Sequence, residues 1–237
     1  MNSLVYELRQ ELKDCKSILD LGCGSSSPIG GLRLFLANVH LVGVDAFAPS
    51  IKSSRRKGIH DEYFLMNVLD IEGKFGRKSF DCVAALDLIE HLQKKEGSRL
   101  LEIMEKMARK KVVISTPNGF LAQRAYDGNV SQIHRSGWTT EEMRARGYRV
   151  VGVNGWKPLK GEFGKPIISP ARLGEWISSL TTPFVRHKPE KAFEILCIKD
   201  LEARATITLS QSGNYLPGKT RGIDVNAHLF QISILDS

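Results

Sequence analysis

The sequence predicts an α/β fold built on a doubly wound, mostly parallel sheet, and three observations predict it. Short runs rich in β-branched residues alternate with amphipathic stretches of helical length, which is the pattern of βαβ units. The run FDCVAALDL at residues 80–88 is almost continuously apolar between charged flanks, as a strand buried on both faces requires. The first strand-like run, SILDL, ends directly in the glycine turn Gly22-Cys23-Gly24, at the end of the sheet where ligands bind in such folds. A chain of 237 residues has material for one sizeable core, so a single domain at residues 1–200 is expected, with additions.

The first helix is expected at residues 2–14, where Leu4, Leu8 and Leu12 share a face at four-residue spacing, and it leads into the strand at 17–21. IGGLRLFLAN (29–38) reads as a helix, HLVGVD (40–45) as a second strand, APSIKSSRRKG (48–58) as a helix and DEYFLMNV (61–68) as a third strand. FDCVAALDL is the fourth strand, SRLLEIMEKMARK (98–110) a helix, and KVVIST (111–116) a fifth strand that stops at Pro117. From Asn118 to Gly137 the periodicity vanishes, and about twenty unpatterned residues inside a compact domain mark a functional loop. Thr139 and Glu142 form a capping box that opens a short helix at 140–147. YRVVGVNGW (148–156) is a sixth strand, ARLGEWISSL (171–180) a helix and KAFEILCIKD (191–200) a seventh strand. Beyond it Ala203, Ala205, Ile207 and Leu209, and later Phe230, Ile232 and Ile234, alternate with polar residues around a glycine-containing loop. Residues 201–237 therefore read as a hairpin-like extension packed on the sheet's edge or on a second subunit, which makes a homodimer one expected arrangement.

Composition bounds the partners. No apolar run approaches the roughly 18 residues of a membrane span, and the acidic N-terminus does not resemble a signal peptide, so a cytoplasmic protein with no membrane span is expected. Cys15, Cys23, Cys82 and Cys197 are widely spaced, which suggests neither a zinc site nor a disulfide framework. The net charge is +8, and residues 117–200 carry 13 Lys/Arg against 8 Asp/Glu. That half would attract an acidic or phosphorylated molecule. With no basic-aromatic stripe, solvated surface charge is the simpler reading, and nucleic acid stays open as a partner without being favoured.

The chemistry lies in ILDLGCGSSS (18–27), which puts Asp20, Gly22 and Gly24 at the carboxyl end of the first strand. Glycines there let a ligand pack against the backbone. Asp45 ends the second strand 23 residues after Gly22, a place from which a carboxylate can accept hydrogen bonds from both hydroxyls of a ribose. A nicotinamide dinucleotide would need the same two parts and a third glycine as well, in G-x-G-x-x-G, to seat its pyrophosphate. Here that position is Ser27, and Asp20 would repel a pyrophosphate while suiting a cationic ligand.

Taken in order, ILDLGCG, VGVDAF, FDCVAALDLIEHL and VVISTPNG resemble the motifs of class I, Rossmann-like S-adenosylmethionine-dependent methyltransferases, over roughly residues 15–155. The resemblance implies a seven-stranded sheet with its last strand antiparallel and S-adenosyl-L-methionine bound across the first two strands. It implies that Gly22, Cys23 and Gly24 back the methionine part, that Asp20 lies near its amino group, that Asp45 holds the ribose, and that Asn67 with the backbone of Val68 contacts adenine. The family often has an acid where Asn67 stands. LDLIEHL (86–92) is similar to small-molecule and ubiquinone-type O-methyltransferases, which would put Asp87 beside the transferable methyl group as a cofactor-binding and catalytic residue. Some such relatives hold a divalent metal here, with Asp87, Glu90 and His91 as the matching trio. Local packing of Glu90 and His91 is the preferred reading, and no metal is expected.

The resemblance also narrows the reaction. The segment after the fourth strand is Asp87-Leu88-Ile89-Glu90, without the N-P-P-Y or D-P-P-Y signature of amino methylation of DNA bases. No Pro-Cys pair is present for attack on cytosine C5. The expectation is methyl transfer to an oxygen or nitrogen of a small-molecule or carrier-bound acceptor, with residues 118–138 and 156–190 on the acceptor side. RNA or protein methylation, or cofactor binding without catalysis, are the alternatives. His134, the only histidine of the long loop, is the candidate general base, the alternative being that it only pins the loop by hydrogen bonding, and Tyr126, Gln132 and Trp138 are candidate acceptor contacts.

Overall fold

The computed structural model of the chain describes residues 3–125 and 129–202. Tyr126 and the alternating segment from Ala203 onward lie outside the described residues. The strands are β1 (Ser17–Leu21), β2 (His40–Asp45), β3 (Glu62–Leu65), β4 (Phe80–Leu86), β5 (Ala108–Pro117), β6 (Arg149–Trp156) and β7 (Ala192–Asp200). They form one sheet in the order β3-β2-β1-β4-β5-β7-β6. Pairs among the first five are parallel, while β7 runs antiparallel to both β5 and β6. This is the Rossmann-like, seven-stranded α/β sheet that the motifs imply. The chain winds outward from β1 through β2 to β3 and then crosses back to β4, so a crevice opens where the carboxyl ends of β1 and β4 part.

The helices are α1 (Ser3–Leu12), α2 (Ala48–Lys57), α3 (Lys94–Met107), α4 (Thr140–Ala145), α5 (Ala171–Leu180) and α6 (Thr182–His187). On one face of the sheet, Leu4, Leu8 and Leu12 of α1 pack against Ile18, Cys82, Val113 and Leu196. On the other, Leu100, Met104 and Met107 of α3 join Val83, Ile114, Met143 and Trp138. Full burial of each such side chain contributes about 1.5–3 kcal/mol. Arg186 ties α6 to α1 through two hydrogen bonds to the Glu7 carboxylate, at 2.6 and 3.1 Å.

Three element expectations are corrected. IGGLRLFLAN forms a 3-10 turn at Pro28–Leu32 followed by further turns, not an α-helix. Gly30 and Gly31 each cost a helix about 1 kcal/mol relative to alanine. Pro28 and the Ser27 hydroxyl, which accepts a hydrogen bond from the Ile29 amide, set the tighter turn. Helix α3 begins at Lys94, earlier than the apolar periodicity suggests, because Gln93 and Glu96 form a capping box. It also ends at Met107, since Ala108 pairs with Phe80 and starts β5. Among the described residues no helix is long and apolar enough to cross a membrane.

Candidate functional site

The turn after β1 bends through two left-handed residues, Gly22 at φ +67° and Gly24 at φ +55°. A Cβ at Gly22 would lie 2.6 Å from Leu88 Cδ1, so only glycine lets the turn and the β4 end approach each other this closely. Asp45 closes the turn from the next strand. Its Oδ2 accepts from the Gly24 amide at 2.8 Å and its Oδ1 from the Phe47 amide at 2.7 Å. Each carboxylate oxygen has a second lone pair, so both can still accept from a ligand hydroxyl. Gly22, Gly24, Asp45, Asn67, Val68 and Asp87 all line one crevice of about 290 Å³.

Two residues expected there are turned away from it. Asp20 is buried beneath the turn, with its Oδ2 2.8 Å from Nε2 of the equally buried His60. Cys23 is buried over the backbone of Gly43, where burial and the charges of Asp20 and Asp45 push its thiol pKa upward. Neither is among the side chains lining the crevice. The His60 partner of Asp20 lies 40 positions away in sequence, which the motif alone does not reveal.

Asp87 directly follows β4 at φ +52°, a left-handed conformation that non-glycine residues seldom adopt and that concentrates at functional sites. Its amide donates to the Ser115 carbonyl at 3.0 Å, and the Ser115 hydroxyl donates to its Oδ1 at 3.4 Å. Desolvation by the surrounding protein raises its carboxyl pKa. Asp87, His91 and Gln132 line both the crevice and a second, larger cavity of about 860 Å³. The larger cavity extends to Asn154, Lys160, Phe163, Phe193 and Glu194, residues of β6, β7 and the segment between β6 and α5.

Glu90, His91 and His134 meet beside this junction, with one potential ligand atom from each lying within 4.8 Å of the others. Glu90 is buried, and its Oε2 accepts from the Thr116 hydroxyl at 3.0 Å. Burial and the charge of Asp87 push its carboxyl well above the usual range. His134 Nδ1 lies 2.7 Å from the Leu121 carbonyl and His91 Nδ1 3.4 Å from that of Ile133. A carbonyl only accepts, so in each neutral ring Nδ1 carries the proton and Nε2 the lone pair. The rings stand edge to face with centroids 4.8 Å apart. Burial and the neighbouring His134 push His91 down to about 4, and burial lowers His134. One carboxyl and two neutral imidazoles, each oriented by a second hydrogen bond, form a donor set that suits a divalent cation. In this cluster His134 takes the place that the motif suggests for Asp87.

The long loop is tied into this cluster. The Arg135 and Ser136 amides donate to the Glu90 carbonyl at 2.7 and 3.0 Å, and the Gly119 amide to the Trp138 carbonyl at 2.8 Å. Gln132 reaches the cavity as expected, but Trp138 does not. Its ring is wholly buried against Gly97 of α3, under the Lys94 ammonium, and its indole N–H donates to Ser136 Oγ at 3.0 Å. Glu194 and Asn154 were not expected at the site. The one available signal was a lone acid inside the apolar run AFEILCI, since a buried carboxyl in a central strand is seldom structural filler.

A family model described as a methyltransferase domain matches residues 19–115. No curated protein matches the chain significantly. Among solved structures, the chain is similar to an S-adenosylmethionine-dependent methyltransferase from Archaeoglobus fulgidus, with 18% identity over 84% of this chain and 93% of that one and a TM-score of 0.54. It is also similar to the methyltransferase domain of a bacterial CtHen1 protein, with 16% identity over 84% and 96% of the two chains and a TM-score of 0.52.

Proposed function

We propose that this chain, an S-adenosylmethionine-dependent methyltransferase of class I, methylates an oxygen of an acceptor seated in the larger cavity, beside a divalent cation held by Glu90, His91 and His134. The observation that carries the reading is the position of this cluster, at the junction where Asp87 and His91 border both the cofactor crevice and the cavity. S-adenosylmethionine bound in the crevice supplies an already activated methyl group on its sulfonium. Gly22 and Gly24 then back the methionine part, Asp45 accepts from the ribose hydroxyls, and Asn67 with the Val68 backbone borders the adenine. Asp87 stands next to the transferable methyl and favours the sulfonium charge.

The residues fit a cation because Thr116, Leu121 and Ile133 hold Glu90, His134 and His91 in place while one potential ligand atom of each stays within 4.8 Å of the others. A divalent cation there would lower the pKa of a bound hydroxyl and orient its oxygen. The chain's own contribution is alignment, which supplies about 7–11 kcal/mol of barrier reduction in well-oriented reactions. A small-molecule acceptor fits a cavity of about 860 Å³ best.

A labelled methyl-transfer assay against metabolite, RNA and protein fractions tests the reading. Label should enter the metabolite fraction as a methyl ether or ester. Chelation should abolish transfer and added Mn²⁺ or Mg²⁺ restore it, and His134→Ala should lower turnover by at least about tenfold. Transfer that survives chelation but falls in His134→Ala would make His134 Nε2 a general base without metal. Label confined to RNA or protein would overturn the acceptor class.

A further inference from the structure

Glu194 lies on β7, opposite Pro117 of β5 and Val153 of β6, and is 5% exposed where it lines the larger cavity. Beside it, β6 slips register between Val153 and Trp156, with Asn154 at φ +60° and Gly155 at φ +80°. Such a bulge re-aims a side chain, and bulges gather next to active sites. Here the re-aimed side chain is Asn154. The Ser3 hydroxyl donates to its Oδ1 at 3.3 Å, and its Nδ2 donates to Glu194 Oε2 at 2.5 Å. The arrangement clamps one oxygen of the Glu194 carboxyl and leaves the other, Oε1, buried without a hydrogen-bond partner among the described residues.

A buried polar atom without a partner is costly to a fold, so its retention at a cavity wall, beside a residue of left-handed backbone that fixes its direction, calls for an occupant. Asp87 lines the same cavity, and burial with the charge of Asp87 pushes the Glu194 carboxyl up to about 8. A hydroxyl both donates and accepts, so it satisfies Oε1 whether the carboxyl is ionised or protonated, whereas an apolar group leaves it orphaned in either state. We infer that Glu194 is a specificity-determining residue of the acceptor site, that its free oxygen binds a second hydroxyl of the acceptor, and that the acceptor class is therefore polyhydroxylated. This rests on the larger cavity being the acceptor site.

The test is equilibrium binding by saturation-transfer NMR to the full chain loaded with S-adenosylhomocysteine. The probes are myo-inositol and cyclohexanol, rings of one size with six hydroxyls and one. Wild type should bind inositol about tenfold more tightly, the effect of one satisfied buried polar group. Glu194→Leu should cut that advantage to within about twofold, and Glu194→Gln, which can still hydrogen-bond a hydroxyl, should keep most of it, with S-adenosylhomocysteine affinity unchanged in both. Equal binding of the probes to wild type, binding of neither, or an advantage undiminished in Glu194→Leu overturns the inference. Failure of S-adenosylhomocysteine itself to bind wild type would instead overturn the methyltransferase reading beneath it.

Discussion

Buried ionisable groups set the character of the site, and each is held by a partner that can be named. Asp87, Glu90 and Glu194 crowd their carboxyls into one desolvated region, where the charge of Asp87 helps to raise the other two. Such a group of acids cannot all ionise cheaply without a cation nearby, which agrees with a cofactor bearing a sulfonium and with a metal beside it. Away from the site, Tyr148 shows the same physics in a structural role. Its buried hydroxyl donates to Glu105 Oε1 at 3.1 Å, and burial with the Glu105 charge raises its pKa. An acid whose pKa is higher in the folded chain stabilises the fold fully below its unfolded value, about 10 for tyrosine, and that stability is lost as pH rises above it. Urea unfolding followed between pH 8 and 11 should therefore show stability falling above about pH 10, and Tyr148→Phe should flatten that fall. An equally steep fall in the variant would assign the alkaline transition to another group.

At the scale of elements, the strands were legible because burial on both faces writes continuous apolar runs, and the glycine turn was legible because its backbone needs positive φ. The 29–38 segment was not, since its leucines carry a helical period that Gly30, Gly31 and Pro28 override. The loop at 118–138 has no period at all, and its described residues are held by contacts distant in sequence. Gly97 is the clearest of these contacts, because a Cβ there would come within 2.5 Å of Trp138 Cζ2. Helix α3 thus seats the loop by leaving room for an indole, and the loop in turn carries His134. Gly97→Ala, although it raises helix propensity, should destabilise the protein by about 1–3 kcal/mol through overpacking. It should also weaken Mn²⁺ binding, as the Trp138 end of the loop shifts. Calorimetric unfolding and metal titration would check both, and a variant more stable than wild type with unchanged metal affinity would show that the loop does not rest on this contact.

Across the whole molecule, the site is assembled from residues 22 to 194 by a strand order that no single segment encodes. The motifs between Asp20 and Asp87 lie close in sequence around β1, β2 and β4, so most residues that line the crevice could be named from resemblance and spacing, Asp20 and Cys23 excepted. The larger cavity was legible only in part: His134 and Gln132 could be named from the unpatterned loop, whereas Glu194 arrives on a strand inserted antiparallel between β5 and β6, and only the assembled sheet brings it to the cavity that Asp87 lines. If the crevice at β1 and β2 holds S-adenosylmethionine through Asp45, isothermal titration of S-adenosylhomocysteine and of NAD into wild type, Asp45→Asn and Asp45→Ala should reveal it. Wild type should bind S-adenosylhomocysteine and not NAD, with affinity falling modestly in Asp45→Asn and by at least about tenfold in Asp45→Ala as charge-assisted hydrogen bonds are lost. Unchanged affinity in Asp45→Ala, or NAD binding as tight as S-adenosylhomocysteine, would contradict this assignment of the crevice.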